Sequence, residues 1–316
     1  MFKGKISVIG SGYVGSTTAY TIMTQGLARE ILLIDINRDK AEGDAMDMNH
    51  GISFVSPVRV YAGGYADIKG SEVVIITAGA NQRPGESRID LLRRNAEVFR
   101  GILGEVTKYC RDNATLMIVT NPVDILTYIA LKLSGFPKNR VIGSGTVLDA
   151  SRLKFLISEQ ARVDARDVQT YIIGEHGDTE VAAWSLTSIA GVSIDEYCGI
   201  CRRCVSPQKI CKEAFLRRTK NAAHEIIGKK GATYYAIALS VCRIVQSMIG
   251  DENAILTVSS LFEGQYGIEG VCLSAPTIVN SAGADHILEI PFSEQETAGL
   301  RKSADTLKAL AASIGF

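Results

Sequence analysis

The sequence has no excess charge of either sign: 34 Lys and Arg balance 34 Asp and Glu. A chain without a basic or acidic surplus has no global field to draw it to nucleic acid or to an anionic membrane. No apolar run approaches the ~18 residues of a membrane span. No charged-then-apolar leader precedes the first strand-like run, so a soluble, cytoplasmic protein is the expectation. Disulfide staples are also not indicated. The seven cysteines are odd in number, and four of them crowd into residues 198–211. Histidine is scarce, at four residues, which narrows the search for an acid–base group.

What is present is a regular alternation over the first half. Runs at 5–10, 31–35, 58–63, 72–79, 115–121 and 140–145 read as strands, several of them apolar throughout. Helices are predicted at 13–25, 38–49, 87–110 and 122–133. This spacing predicts βαβ units around a parallel sheet with right-handed crossovers. The second half differs. It offers helices at 147–161, 206–229, 232–249 and 293–315, with strands near 170–174 and in the runs 254–261 and 270–279. The predicted architecture is α/β: a Rossmann-type doubly wound parallel sheet over residues 1–145, then a mixed α+β catalytic domain over 146–316.

"GSGYVG" (10–15) follows a strand and opens a helix. Gly10 suits a tight turn, Gly12 lets backbone approach a pyrophosphate, and Gly15 lets helix and strand pack closely. The helix then points free N–H groups at phosphate. Alone the motif is weak. Asp35, ending the second strand about 20 residues on, makes it specific, because its carboxylate accepts from ribose hydroxyls and repels a 2′-phosphate. NAD is therefore favoured over NADP, with Arg38 leaving some room for the latter.

Two further stretches carry candidate chemistry. His176 lies in "IIGEHGDTE", between glycines and after a strand, whereas His50, His224 and His286 occupy helix-end, helix and loop contexts. Asp149 and Arg152, in "GSGTVLDASR", share a helix face at a spacing of three. From spacing alone, an ordinary helical ion pair explains them better than a pocket does.

Long ordered blocks then bear on the question: "GSGYVGSTTAY", "TAGANQRPGESRIDLLRRN", "TNPVDILTY", "GSGTVLDASR", "IIGEHGDTEVAAWS" and "KKGATYYAIA". End to end, the chain resembles the bacterial type of NAD-dependent L-lactate dehydrogenase, within the lactate/malate dehydrogenase superfamily. The resemblance implies that His176 exchanges the lactate hydroxyl proton and that Asp149 orients it. It implies that Arg152 anchors the substrate carboxylate and that Arg88, on a closing loop 80–88, polarises the carbonyl. Asn121 and Thr233 would contact substrate, and Val14, Tyr65, Gly79, Ala80, Asn121 and Ser144 would line NAD. Gln82 would read the substrate side chain. Malate dehydrogenases resembling this chain carry arginine there, to meet a second carboxylate, so a neutral glutamine favours pyruvate. Arg83 is expected to point to solvent.

The same resemblance implies a homotetramer working in glycolysis and pyruvate fermentation. Lys154 and Gln169 stand where many bacterial relatives use arginine and histidine for fructose 1,6-bisphosphate, so weak or absent activation is expected. The cluster Cys198, Cys201, Cys204 and Cys211 could bind zinc or an iron–sulfur group. A surface segment in a reducing compartment is the preferred reading, with no metal. The rival functions are a malate dehydrogenase and a nucleotide-binding redox or metal sensor.

Overall fold

The computed structural model describes residues 4–80, 85–110, 114–201 and 212–316. Its first half runs β1 (Lys5–Ile9), α1 (Tyr13–Thr24), β2 (Glu30–Ile34), α2 (Arg38–His50), β3 (Arg59–Ala62), β4 (Ser71–Ile76), α3 (Arg88–Tyr109), β5 (Thr115–Ile118), α4 (Val123–Ser134) and β6 (Val141–Gly143). These strands pair in parallel in the order 3-2-1-4-5-6. Their apolar runs are explained by burial on both faces. In β4, Val73 and Ile75 enter one core while Val74 and Ile76 enter the other. Met117 of β5 faces the first core, Leu116 and Ile118 the second. This is the period-2 alternation of a strand covered twice.

The helices match those faces. Leu92, Ala96, Phe99, Leu103 and Val106 put an apolar stripe of α3 against the sheet, at spacings of four and three. α2 is mostly polar and buries only Ala41, Ala45 and Met48, again at four and three. Asn37 starts α2 by accepting from the Lys40 N–H, and Ser87 starts α3 by accepting from the Asp90 N–H.

The second half contributes α5 (Val147–Ala161), β7 (Val168–Gln169), β8 (Ile172–Ile173), β9 (Val181–Ala182), β10 (Ser188–Ile189), β11 (Val192–Ser193), α6 (Ile194–Ile200), α7 (Lys212–Lys230) and α8 (Tyr235–Gly250). Then follow β12 (Ala254–Leu256), β13 (Ser259–Glu263), β14 (Glu269–Ser274), β15 (Thr277–Asn280), β16 (Gly283–Ile287) and α9 (Glu294–Ser313). Two expectations need correction here. The runs 254–261 and 270–279 are not single strands. Each divides between two sheets: β13 and β14 extend the large sheet antiparallel beyond β6, while β12 and β15 form a separate sheet with β16. The breaks at 257–258 and 275–276 let the chain change sheet. Thr257 uses its carbonyl to accept from the Thr146 N–H. Gly145 permits that approach: a Cβ there would stand 2.5 Å from the Thr257 carbonyl oxygen, and its φ is +53°. The second correction is His286, which lies on β16 opposite Ile278 and not in a loop.

The halves also share their cores. Val241, Cys242, Ile244 and Val245 of α8 join the core beneath α1 and α2, and Leu300, Ala304 and Leu307 of α9 join the core beneath α3 and α4. Among the described residues, no helix is long and apolar enough to cross a membrane.

Candidate active site

All the residues expected to hold a dinucleotide lie at the carboxyl ends of the parallel strands. Gly10 follows β1, Asp35 follows β2, and Tyr65 opens a short turn after β3. Gly79 and Ala80 follow β4, Asn121 follows β5 and Ser144 follows β6. The order reverses between β1 and β4, and such a switch point opens the crevice where α/β sheets take ligands.

The three glycines differ physically. Gly10 has φ +101°, and a Cβ would meet the Ala78 nitrogen at 2.6 Å. A Cβ on Gly15 would lie 1.8 Å from the Gly10 carbonyl oxygen, so helix and turn are in backbone contact. Gly12 is unlike both: its φ is −69°, and a Cβ there would meet nothing among the described residues within 4 Å. Among the described residues nothing requires glycine at Gly12, and the open space suits a pyrophosphate lying close against the turn. α1 begins at this point without a side-chain cap and without an acid in its first turn, unlike α2 and α3. Its positive end is left for an anion.

Asp35 is half-buried. One oxygen accepts from the Ser11 N–H at 2.5 Å and the other from the Asn37 N–H at 2.8 Å. These backbone bonds aim a carboxylate beside the glycine turn while leaving its charge unneutralised. Arg38 is turned away on its own helix, donating to Glu42 at 2.8 Å. The open cradle at Gly12 and the fixed acid at Asp35 fit a dinucleotide without a 2′-phosphate. Across the crevice, Gly79 packs so tightly on Thr120 that a Cβ would stand 2.3 Å from its methyl group. The buried Asn95 side chain accepts from the Ala80 N–H at 2.7 Å.

The second constellation is assembled from three segments. Asp149 lies in the first turn of α5, buried. Its Oδ2 is 2.5 Å from His176 Nδ1, and its Oδ1 accepts from Arg152 Nη1 at 2.8 Å. The ion pair of α5 is therefore real, but it is half of a larger arrangement, with one carboxylate shared between a guanidinium and an imidazole. The His176 loop is held at two further points. Gly174 exchanges backbone hydrogen bonds with Ser274 of β14, and the His176 N–H donates to Asp124 Oδ2 at 2.7 Å.

Burial works against charging His176, but the Asp149 carboxylate outweighs it and raises the imidazole to about 9. Burial likewise opposes ionisation of Asp149, yet His176 and then Arg152 hold it below the ordinary range. Asp124 is fully buried, which lifts it to about 6 against the hydrogen bond from the His176 N–H.

Thr233 lies half-buried just before α8, and the ring of its neighbour Tyr234 stacks on Tyr13 of the glycine turn, centroids 5.3 Å apart. Among the described residues, neither Asn121 nor Thr233 hydrogen-bonds to the His176 cluster. Arg88 is the first residue of α3. Gln82, Arg83, Pro84, Cys204 and Cys211 lie outside the described residues. Cys198 is on α6 and Cys201 ends it, its thiol directed at the Ala161 carbonyl. Lys154 is on α5, lowered by burial, and Gln169 is exposed on β7.

Asp124, Glu180 and Asn95 also belong to these two regions, although no motif in the sequence singles them out. The signal for Asp124 was a lone acid in the apolar run "NPVDILTY". For Glu180 it was an acid directly preceding the strand run "VAAW".

Comparison with known proteins bears on this arrangement. Residues 4–143 match the family model of the lactate/malate dehydrogenase NAD binding domain, and residues 146–314 match that of the lactate/malate dehydrogenase alpha/beta C-terminal domain. An L-lactate dehydrogenase of Acetivibrio thermocellus is 60% identical over 304 residues, covering 96% of this chain and 95% of its own length. One from Clostridium perfringens is 57% identical over 305 residues, with the same coverage. Among solved structures, a minor L-lactate dehydrogenase from Enterococcus mundtii in a ligand-bound form superposes with a TM-score of 0.94 at 40% identity, covering 98% of both chains.

Proposed function

We propose residue roles for a reaction that kinship fixes: the chain belongs to the lactate/malate dehydrogenase family, and it catalyses the reversible, NAD-dependent conversion of L-lactate to pyruvate. Bound NAD supplies the nicotinamide ring that accepts or returns the hydride. Gly10, Gly12, Val14, Gly15, Asp35, Tyr65, Gly79, Ala80, Asn121 and Ser144 would hold it at the carboxyl edge of the sheet.

The observation that carries the proposal is the 2.5 Å contact between His176 Nδ1 and Asp149 Oδ2. It fixes the ring and leaves Nε2 for the substrate hydroxyl. In oxidation His176 takes that proton; in reduction the imidazolium returns it to the carbonyl oxygen. Asp149 keeps the tautomer correct and stabilises the charged ring. With its imidazole raised to about 9, the free protein near neutrality carries the imidazolium that pyruvate reduction needs. Arg152 spends one guanidinium nitrogen on Asp149 and keeps the rest of its planar fork for the substrate carboxylate. Arg88 would be carried in by closure of residues 80–88 to polarise the carbonyl in a water-excluded site. Gln82 would choose pyruvate over oxaloacetate, because a second carboxylate would find no cation there. Asn121 and Thr233 complete the substrate pocket. The working unit would be a cytoplasmic homotetramer of chains divided at residue 145 into a dinucleotide domain and a substrate domain.

The test is His176→Gln. Turnover of pyruvate with NADH should fall by about 10²–10⁴-fold while NADH still binds. Turnover close to that of the unaltered enzyme would overturn the assignment.

A further inference from the structure

The imidazole of His176 has a second acidic neighbour that the reaction as described does not use. Glu180 ends the turn that begins at Gly177, whose carbonyl accepts from the Glu180 N–H, and it immediately precedes β9. It is 4% exposed, and its Oε1 has no hydrogen-bond partner among the described residues. One oxygen or nitrogen from each of Asp149, His176 and Glu180 lies within 4.8 Å of the others. Such a trio resembles a cation site. Here both Asp149 oxygens are already engaged, by Arg152 and His176. The uncommitted member is Glu180.

A buried carboxylate with one oxygen lacking a hydrogen bond, next to an ionised Asp149, is unfavourable. Burial first, and the Asp149 charge second, push Glu180 up to about 8, against the opposing pull of His176, Lys220 and Arg152. Those groups face it from the catalytic loop, α7 and α5. Near neutrality Glu180 is therefore a neutral acid. On the alkaline side it ionises, placing a new negative charge beside the imidazole at the pH where His176 is about to lose its proton.

We propose that Glu180 is a second acidic partner of the His176 imidazole, a positioning residue whose carboxyl group keeps the imidazolium available for pyruvate reduction on the alkaline side of neutrality. The proposal rests on the reading of His176 as the proton donor. It gives a physical use to a buried acid with an unpaired oxygen, and it predicts an effect on pH dependence more than on turnover at one pH.

The experiment follows kcat/KM for pyruvate, at saturating NADH, from about pH 6 to about pH 10 in the unaltered enzyme, Glu180→Gln and Glu180→Asp. In Glu180→Gln the alkaline limb should move down by about one pH unit, the low end of what a charge at this range does. The ratio of kcat/KM near pH 6.5 to that near pH 9 should rise severalfold, and Glu180→Asp should bring the limb back towards its original place. A limb that stays put in Glu180→Gln overturns the proposal. Should that variant not fold, infrared difference spectra of the unaltered enzyme decide. A carboxylic acid band that disappears between about pH 7 and pH 9 supports the proposal, and no such band overturns it. Asp124, at about 6, titrates below that window. His176→Gln separates the two readings: if it keeps its turnover, the proton-donor reading fails, whereas if it is inactive and the Glu180→Gln limb is unmoved, only the Glu180 proposal fails.

Discussion

Asp35 and Asp149 are two acids serving one reaction, and they are held in opposite ways. Asp35 is half-buried and, among the described residues, receives only backbone N–H groups, from Ser11 and Asn37. Asp149 is buried and receives two cationic side chains, Arg152 and His176. Backbone dipoles fix direction without cancelling charge, so Asp35 keeps a negative field for recognition. Paired cations cancel charge, so Asp149 survives in a dry interior and instead adjusts the proton affinity of its partner. The same residue type thus reads a ligand in one region and tunes an imidazole in the other.

That contrast is open to test, beginning with the change expected to do most. Asp149→Asn keeps shape but removes the charge that holds His176 protonated. The kcat for pyruvate reduction should fall about 10³-fold, within the range of acid–base loss. Stability should respond as well. Because the folded His176 value is raised from 6.5 to about 9, its contribution is full below about pH 6.5 and disappears as pH rises through about 9. The alkaline decline in Tm should therefore shrink in Asp149→Asn. If melting curves against pH match those of the unaltered enzyme, the pair is not tuning the ring.

Gly15→Ala should come next. Its Cβ would meet the Gly10 carbonyl oxygen at 1.8 Å, and neither backbone can yield without breaking the turn. A loss of about 3 kcal/mol in unfolding free energy is expected from such overpacking, read by urea denaturation. Gly12→Ala should have the smallest effect, and only on one measurement. The added methyl meets no atom of the described residues within 4 Å, so Tm should not move, while NADH should bind roughly tenfold more weakly because its pyrophosphate needs that space. A lower Tm with unchanged NADH affinity would show that Gly12 serves the fold and not the ligand.

Legibility followed sequence distance. The first half was readable because each strand is a short apolar run and each helix carries its own stripe and stop. The helices predicted at 13–25, 38–49 and 147–161 fall within a residue of α1, α2 and α5. The second half was harder. β7, β9, β10 and β11 are two-residue strands whose pairing is set by neighbours. The runs at 254–261 and 270–279 carried no sign that they would serve two sheets. Glu180 carries little sequence signal of its own, because burial, and not residue type, makes it chemically unusual.

Consecutive residues sufficed for the glycine turn with its aspartate, the parallel sheet that βαβ units imply, and the family to which the blocks belong. These depend on local sterics and on periodicity, which are written in consecutive residues. Only the tertiary structure decided that one buried carboxylate serves both Arg152 and His176, that Asp124 and Ser274 hold the histidine loop, and that α8 and α9 close the cores of the first half. Those outcomes depend on which surfaces leave water together. Burial turns an ordinary acid into a proton-holding one, and spacing along the chain does not encode it.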